Sequence, residues 1–182
     1  GITAVNLREG DELIAAFLTD GSKNIFAATR NGMGIMFDEN DVRPMGRTAT
    51  GVKAITLSDD DYVVSADFAD KEDKLLNVTE NGYGKRTDAE AFNVQHRGGK
   101  GVKIHQITDK TGLLSGVIKV SDNEELMIVT SEGVIIRLRG KEISTFGRVS
   151  QGVKLINLDD GVTVAGIAKI NEEDIMEEES KE

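Results

Sequence analysis

The chain has 182 residues, of which 38% are hydrophobic and 30% charged, and its formal net charge is −10 at pH 7. It contains no cysteine and two histidines, which excludes disulfides, thiolate metal sites and cysteine nucleophiles and argues against a histidine-rich metal centre. No apolar run approaches the roughly 18 residues of a membrane span and no secretion signal opens the chain. We therefore expect a soluble, cytoplasmic protein with no membrane partner.

The negative charge is concentrated at the end of the chain. Residues 171–182 hold seven acids and one base, which leaves 25 of the 32 acids and 21 of the 22 bases in residues 1–170, a net charge of −4. This composition predicts a disordered acidic tail over residues 171–182 and a patchy surface before it.

A unit of about fifty residues recurs along the chain. Related heptapeptides begin at Gly1 (GITAVNL), Gly51 (GVKAITL), Gly101 (GVKIHQI) and Gly152 (GVKLINL). A threonine lies 22 residues before each of the last three glycines, at Thr29, Thr79 and Thr130. Self-similarity at a fixed period of this length is typical of repeat architectures.

Each unit contains four short apolar segments, which we name a to d in chain order. In the first unit they are Asp11–Leu18, Asn24–Thr29, Gly34–Phe37 and Gly51–Leu57. They are rich in Val, Ile, Leu and Phe and shorter than an amphipathic helix, so we predict strands. Asn31-Gly32 and Asn81-Gly82 predict b–c hairpins with type I′ turns, in which both central residues have positive φ.

Four short strands per unit predict an all-β fold, a propeller-like array of four-stranded blades. The predicted repeat units are residues 8–57, 58–107 and 108–158, followed by a closing strand at residues 161–170. The order of segments predicts about three full blades with a half-blade at each end.

A cation-bearing loop lies between segments c and d of every unit. The three c–d loops read MGRTATG at residues 45–51, QHRGGKG at residues 95–101 and FGRVSQG at residues 146–152. An arginine lies four residues before the last glycine of each loop, and a lysine lies two residues after it. These cations are Arg47, Arg97, Arg148, Lys53, Lys103 and Lys154, and the middle loop adds His96 and Lys100.

Two interpretations of these cations are open from the residues alone. In the first, they pair with recurring acids such as Asp59–Asp61, Asp109 and Asp159-Asp160, and the glycines only serve the turn. In the second, flexible glycines bring backbone N–H groups close to phosphates while arginine and lysine supply charge. Equivalent cations on successive blades would then form a curved track that binds duplex DNA through its backbone and bends it.

No motif in the chain predicts catalysis. There is no Ser/His/Asp or paired-carboxylate arrangement, and the glycine- and lysine-containing stretches lack the spacing of a nucleotide-binding loop. Asp59–Asp61 lacks the remaining ligands of a calcium loop. We therefore expect no catalytic centre, cofactor or metal site in this chain.

The middle c–d loop and its surroundings resemble a known family. Gln95, His96, Arg97, Gly98, Gly99, Lys100 and Gly101 form QHRGGKG. This motif resembles the Q-R-R-G-G-K-G box of DNA gyrase A, with His96 in place of an arginine. TENGYGKR before the loop and GVK after it are similar to the repeats of the C-terminal domain of gyrase A, and the similarity extends over residues 1–170. The repeat pattern is shared with a paralogue, the corresponding subunit of topoisomerase IV; the box and the acidic tail favour gyrase.

The resemblance implies a β-pinwheel, in which adjacent blades exchange strands, that wraps duplex DNA around a basic rim. It implies that the domain works with the remainder of gyrase A and with gyrase B in a bacterial type II topoisomerase. That holoenzyme introduces negative supercoils with ATP and Mg²⁺ bound elsewhere. The family's domains commonly have five or six blades and carry the box in the first of them, whereas QHRGGKG lies in the middle unit. Composition leaves another hypothesis open, a protein-interaction propeller whose acidic surface binds a basic partner.

Overall fold

The computed structural model describes residues 1–170; the tail predicted for residues 171–182 lies outside them. The described residues form eleven β-strands and three short 3-10 helices. The strands are β1 (Asn24–Thr29), β2 (Met33–Asp38), β3 (Val63–Phe68), β4 (Lys74–Thr79), β5 (Tyr83–Asp88), β6 (Val102–Lys103), β7 (Leu114–Lys119), β8 (Glu125–Thr130), β9 (Ile135–Arg139), β10 (Val153–Lys154) and β11 (Val164–Ile170). The 3-10 helices are Glu39–Asp41, Ala89–Ala91 and Gly140–Glu142. The predicted all-β class is confirmed, and within residues 1–170 no helix is long and apolar enough to cross a membrane.

Segments b and c of each unit form a hairpin, as predicted, but the turn is of a different type. In the first hairpin the Gly32 N–H donates to the Thr29 carbonyl at 3.0 Å, and the same bond recurs at Gly82 and Gly133. The glycines have φ between 78° and 80°, whereas Asn31 and Asn81 are not in the positive-φ region. The loop is therefore a three-residue connection with glycine in the left-handed position, and the type I′ prediction is wrong.

The hairpin also explains why a threonine recurs in every unit. The Thr29 hydroxyl accepts a hydrogen bond from the Met33 N–H at 3.3 Å. The equivalent bond from Val134 to the Thr130 hydroxyl is 3.1 Å long. Each hydroxyl thus satisfies a backbone donor that the bulged turn leaves outside the strand ladder.

The sheets combine strands from two successive units. The first has the order β3-β1-β2-β6, the second β10-β5-β4-β7, and the third β11-β8-β9. In each sheet the central hairpin belongs to one unit, and the outer strands are segments a and d of the next. This exchange of strands ties adjacent blades together covalently.

The a strands lie at the centre of the array. β3 packs against β7, and β7 packs against β11. The Val117 N–H donates to the Ser65 hydroxyl at 2.9 Å, and the Ser115 hydroxyl donates to the Val164 carbonyl at 3.1 Å. Segment d occupies the opposite edge of each four-stranded sheet, where β6 and β10 lie, so the d segments form the perimeter.

The prediction of strands at Asp11–Leu18 and Gly51–Leu57 is wrong, because neither segment enters a sheet. The pairing rule explains why: segments a and d pair with the hairpin of the preceding unit, and no such hairpin precedes Asn24 in the described residues. The third sheet has three strands for the same reason, since no d segment follows β11 among residues 1–170. The described residues thus contain two four-stranded sheets and one three-stranded sheet.

The last glycine of the second and third c–d loops is required by close backbone packing. Gly101 and Gly152 have φ of +70° and +69°, and a Cβ atom on either would lie 2.3 Å from the carbonyl oxygen of Gly34 or Gly84. That carbonyl belongs to the neighbouring c strand and cannot withdraw without breaking the strand ladder.

We expect Gly152→Ala to lower the free energy of unfolding by about 2–4 kcal/mol, because it combines positive-φ strain with a backbone overlap. Gly147→Ala in the same loop is the matched control, since nothing lies within 4 Å of its Cβ position. Urea unfolding of both variants measures the difference. A Gly152→Ala protein as stable as the Gly147→Ala protein would contradict this account of the turn.

Candidate nucleic-acid interface

The second and third c–d loops are each held between two neighbouring stretches of backbone. On one side the Gln95 N–H donates to the Met36 carbonyl at 2.9 Å, and the Phe146 N–H donates to the Arg86 carbonyl at 2.9 Å. On the other side, backbone N–H groups of the preceding d segment donate to carbonyls of the loop. The Thr56 N–H donates to the Gly99 carbonyl at 2.8 Å, and the Gln106 N–H donates to the Ser150 carbonyl at 3.0 Å. The loops therefore lie along the perimeter, between consecutive d segments.

The arginines of the c–d loops bridge consecutive d segments. Nη1 of Arg47 donates to the Thr3 carbonyl at 3.4 Å, that of Arg97 to the Lys53 carbonyl at 3.1 Å, and that of Arg148 to the Lys103 carbonyl at 2.8 Å. Each acceptor occupies the third position of the preceding GIT or GVK motif. A recurring structural role for arginine is therefore visible.

These bonds leave most of each guanidinium uncommitted. Arginine carries five N–H donors; Arg148 uses one in the described contacts, and Arg97 uses a second, from Nε to the Asp41 carbonyl at 3.0 Å. Arg47 is exposed, while Arg97 and Arg148 are half-buried. The bridges fix the position of the charge while leaving donors for a further acceptor.

The lysines of this surface are exposed and have no acidic partner among residues 1–170. This holds for Lys53, Lys100, Lys103 and Lys154. The first interpretation of these cations, pairing with Asp59–Asp61, Asp109 or Asp159-Asp160, is therefore wrong within the described residues. Their charge is directed to solvent.

Lys103 and Lys154 occupy equivalent places on successive blades. Lys103 pairs with Met33 on β2 of the first sheet, and Lys154 pairs with Tyr83 on β5 of the second. Met33 and Tyr83 are the first residues of their strands. The two lysines thus repeat at the spacing of the blades.

The remaining residues of the box-like motif play different parts. The His96 side chain is fully exposed, with Nδ1 3.4 Å from the Asp41 carboxylate. The Gly98 N–H donates to the Ala54 carbonyl at 2.6 Å, and the Gly98 carbonyl accepts from the Thr56 hydroxyl at 2.7 Å. Gly98 thus joins the loop to the preceding d segment, while His96 and Lys100 face solvent.

Acids occupy the opposite end of each d segment. The d–a turns are closed by equivalent backbone hydrogen bonds, in which an N–H donates to the carbonyl three residues earlier. The pairs are Asp11 to Arg8, Asp61 to Ser58, Thr111 to Thr108 and Val162 to Asp159. They carry the exposed acids Glu9, Asp59, Asp60, Asp109, Asp159 and Asp160. Six residues of chain, with a bend at residues 54–55, lead from Lys53 to Asp59. The perimeter is therefore polarised, with cations along one margin and acids along the other.

Sequence reasoning missed a buried basic pair beneath the third loop. Lys85 and His105 have exposed fractions of 0% and 1%. The Lys85 ammonium donates to the carbonyls of Gly147 and Arg148 at 2.7 and 2.6 Å. The signal was present in the repeat, because the equivalent positions hold isoleucine in the other units.

The fold and the loops agree with what similarity to other proteins indicates. The chain matches the family described as "DNA gyrase C-terminal domain, beta-propeller" over residues 1–20, 23–70, 73–121 and 124–171. The chain belongs to this family. Each of the last three matched stretches begins at a b–c hairpin and runs through the a strand that follows.

Relatives within the family extend over the whole chain. The gyrase A protein of Halalkalibacterium halodurans is 63% identical over 184 residues, which cover 100% of this chain and 22% of that protein. The gyrase A protein of Clostridium acetobutylicum is 46% identical over 182 residues, again 100% of this chain and 22% of that protein. The chain thus spans about a fifth of the length of these relatives.

Two solved structures share the gyrase-type fold. "Structure of DNA gyrase A C-terminal domain" superimposes with a TM-score of 0.86 at 24% identity, over 94% of this chain and 58% of that one. "Crystal structure of the C-terminal domain of DNA topoisomerase IV" superimposes with a TM-score of 0.89 at 27% identity, over 98% and 56%. The β-pinwheel expectation is confirmed as a fold.

Proposed function

We propose that this chain is a DNA-binding and DNA-wrapping domain of DNA gyrase A. Duplex DNA lies along the perimeter and contacts the cations of the c–d loops and d segments. The contact residues are Arg47, Lys53, His96, Arg97, Lys100, Lys103, Arg148 and Lys154. The domain has no catalytic part in this proposal; it bends DNA for a type II topoisomerase that uses ATP and Mg²⁺ elsewhere.

One observation carries the proposal: lysines without acidic partners in the described residues recur at equivalent positions along one margin of the perimeter. A duplex is a regular polyanion, so cations repeated on successive blades can neutralise phosphates at successive points. Because the contacts go to the backbone, binding is sequence-tolerant, and the curvature of the perimeter bends the duplex. The acids of the d–a turns repel phosphates from the opposite margin.

In the whole protein, the partners are the remainder of gyrase A and the gyrase B protein, in the bacterial cytoplasm. Wrapping there supports ATP-dependent negative supercoiling by presenting a bent DNA segment to the enzyme. The family membership and the 63% identical gyrase A protein support this assignment. The TM-score of 0.89 to a topoisomerase IV domain makes the paralogous topoisomerase IV protein the second candidate.

Salt dependence of duplex binding tests the proposal directly. We expect log K to fall linearly with log salt, with a slope steeper than about −3, because each neutralised phosphate contributes about −0.9. Fluorescence anisotropy with a labelled 40-base-pair duplex measures the slope. Relaxing a closed circular plasmid with a type I topoisomerase while the protein is bound then reports wrapping, as a changed linking number.

The protein-interaction hypothesis predicts a different result. An acidic docking surface, motivated by the formal charge of −10, would leave the duplex unbound even at low salt. Absence of binding at 25 mM salt would therefore overturn the DNA-wrapping proposal. Binding without a change in linking number would contradict the wrapping part of the proposal and leave only binding to the DNA backbone.

A further inference from the structure

The interface between the first and second sheets contains a polar cluster where the other units are apolar. The positions equivalent to it hold Ala27, Ile35, Phe37 and Ile55 in the first unit and Ile128, Ile136, Leu138 and Ile156 in the third. Both sets lie in hydrophobic clusters. In the middle unit the same positions hold Asn77, Lys85, Thr87 and His105, all buried. We call these four residues the buried polar cluster.

The buried polar cluster is incompletely satisfied. Asn77 Oδ1, Thr87 Oγ1 and both ring nitrogens of His105 lack a hydrogen-bond partner, and they are the only such buried side-chain atoms among residues 1–170. Asn77 lies directly opposite Lys85 in the β4–β5 register. Four changes from apolar to polar at one interface, each of which costs stability when a group is unpaired, indicate a role other than packing.

Lys85 connects the cluster to the perimeter. Its Nζ is fully covered, yet both of its acceptors, the carbonyls of Gly147 and Arg148, belong to the surface loop at residues 146–152. Arg148 extends from the same loop to the Lys103 carbonyl. Lys85 therefore holds from beneath the stretch of backbone that carries Arg148.

No described carboxylate compensates the charge of Lys85. The loop above it presents Arg148, and the d segment of the first sheet presents His105 and Lys103. Tyr83 and Arg86 lie on its own strand, with Arg86 turned to the other face, where it pairs with Asp122. The neighbouring β10 contributes Lys154, and the adjacent strand β4 contributes the uncharged Asn77.

This environment disfavours both buried cations. Burial, and secondarily the charge of Arg148, lowers the pKa of Lys85 to about 8. Burial, and secondarily Lys85, lowers the pKa of His105 to about 4, although the nearby Gln151 backbone favours the charged ring. Neutral His105 and a partly protonated Lys85 thus coexist near pH 8.

We propose that Lys85 is a positioning residue for the loop at residues 146–152, and that a DNA phosphate bound beside Arg148 compensates the positive charge of Lys85. Duplex binding is then coupled to proton uptake at Lys85. The proposal rests on the proposed DNA binding and adds its regulation by pH. A phosphate near the loop stabilises the ammonium over the neutral amine, and by reciprocity the ammonium strengthens binding. Affinity therefore falls as pH rises through the Lys85 titration.

Duplex affinity at pH 7 and pH 9.5 at constant salt tests this coupling. We expect the unmodified chain to bind about tenfold more weakly at pH 9.5, the effect of one partly screened charge on a nearby phosphate. Lys85→Met should remove this difference, and calorimetry at pH 8 in buffers of different ionisation enthalpy should show proton uptake only in the unmodified chain. The exposed Lys71→Met is the control, with one charge lost elsewhere and the pH dependence kept.

A second variant guards against a local packing defect. Lys85→Ile/His105→Ile reproduces the apolar pair that the first and third units contain, and it should be as insensitive to pH as Lys85→Met. An unchanged tenfold difference in both variants would overturn the coupling while leaving DNA binding intact. An unmodified chain that does not bind the duplex at pH 7 would overturn the proposed function itself, and the coupling with it.

Discussion

Replacing Lys53, Lys103 and Lys154 together by alanine is expected to weaken duplex binding by about 10- to 100-fold at 50 mM salt and to flatten the salt slope by about 3. These lysines are exposed, have no described acidic partner and occupy equivalent d-segment positions. Each substitution removes one phosphate contact and its released counterion. The loss should be uniform across DNA sequences, because backbone contacts carry no base information.

The matched control separates position from net charge. Arg8, Lys71 and Lys141 are also exposed, and Arg8→Ala/Lys71→Ala/Lys141→Ala changes the net charge by the same amount. Arg8 lies in the first d–a turn, Lys71 in the turn between β3 and β4 and Lys141 in the 3-10 helix Gly140–Glu142, all outside the c–d loops and the GVK motifs. We expect the control to bind with nearly the slope of the unmodified chain. Equal losses in the two triple variants would show that overall charge, and not the margin, governs binding.

The polarised perimeter explains how an acidic chain can bind a polyanion. The net charge of residues 1–170 is −4, yet the acids and the cations lie at opposite ends of each d segment. Screening limits the reach of exposed charges to about 8–10 Å near physiological salt. A phosphate at the c–d loops is therefore dominated by the nearby lysines and arginines, while the acids at the other end of each d segment act mainly as a boundary.

The repeat made the fold class predictable from the sequence. Glycines at 51, 101 and 152 and the threonine before each of them fix a period of about fifty residues, and the apolar segments within that period are too short for amphipathic helices. The exchange of strands between units could not be derived from the residues alone, because an apolar pattern predicts a strand but does not predict which strand it pairs with. It entered only through the family resemblance. Asp11–Leu18 shows the consequence: its sequence is strand-like, but its partner hairpin is absent from the described residues.

The cations of the candidate site were also found from their recurrence, but their separate roles were not. Arg47, Arg97 and Arg148 donate to backbone carbonyls of the preceding repeat, a contact that depends on how d segments stack. Lys85 was overlooked because a lysine beside a glycine-rich hairpin is indistinguishable in sequence from a solvent-exposed one. Comparison with Ile35 and Ile136 shows that lysine replaces isoleucine at this position of the repeat. Only the structure shows that this lysine is buried.

The second large effect is expected on acid stability, and it depends on His105. An unfolded chain protonates this histidine near its ordinary pKa of 6.5, whereas burial lowers the folded-state pKa to about 4. Between these values the unfolded state binds more protons, so stability present above pH 6.5 is lost as the pH falls towards 4. The lowering corresponds to about 3 kcal/mol of unfolding free energy lost between pH 7 and pH 4.

His105→Ile should abolish this component and raise stability at pH 7 by about 1–3 kcal/mol, because it removes two unpaired buried nitrogens and installs the residue found at positions 55 and 156. His96→Ala is the matched control: the other histidine is fully exposed and its loss should leave the acid profile unchanged. Urea unfolding at pH 7, 6, 5 and 4 compares the three proteins. Because carboxylates also titrate in this range, the decisive quantity is the difference between the unmodified chain and His105→Ile. Parallel profiles would mean that His105 is protonated or solvated in the folded state, and the buried polar cluster would then be open to water.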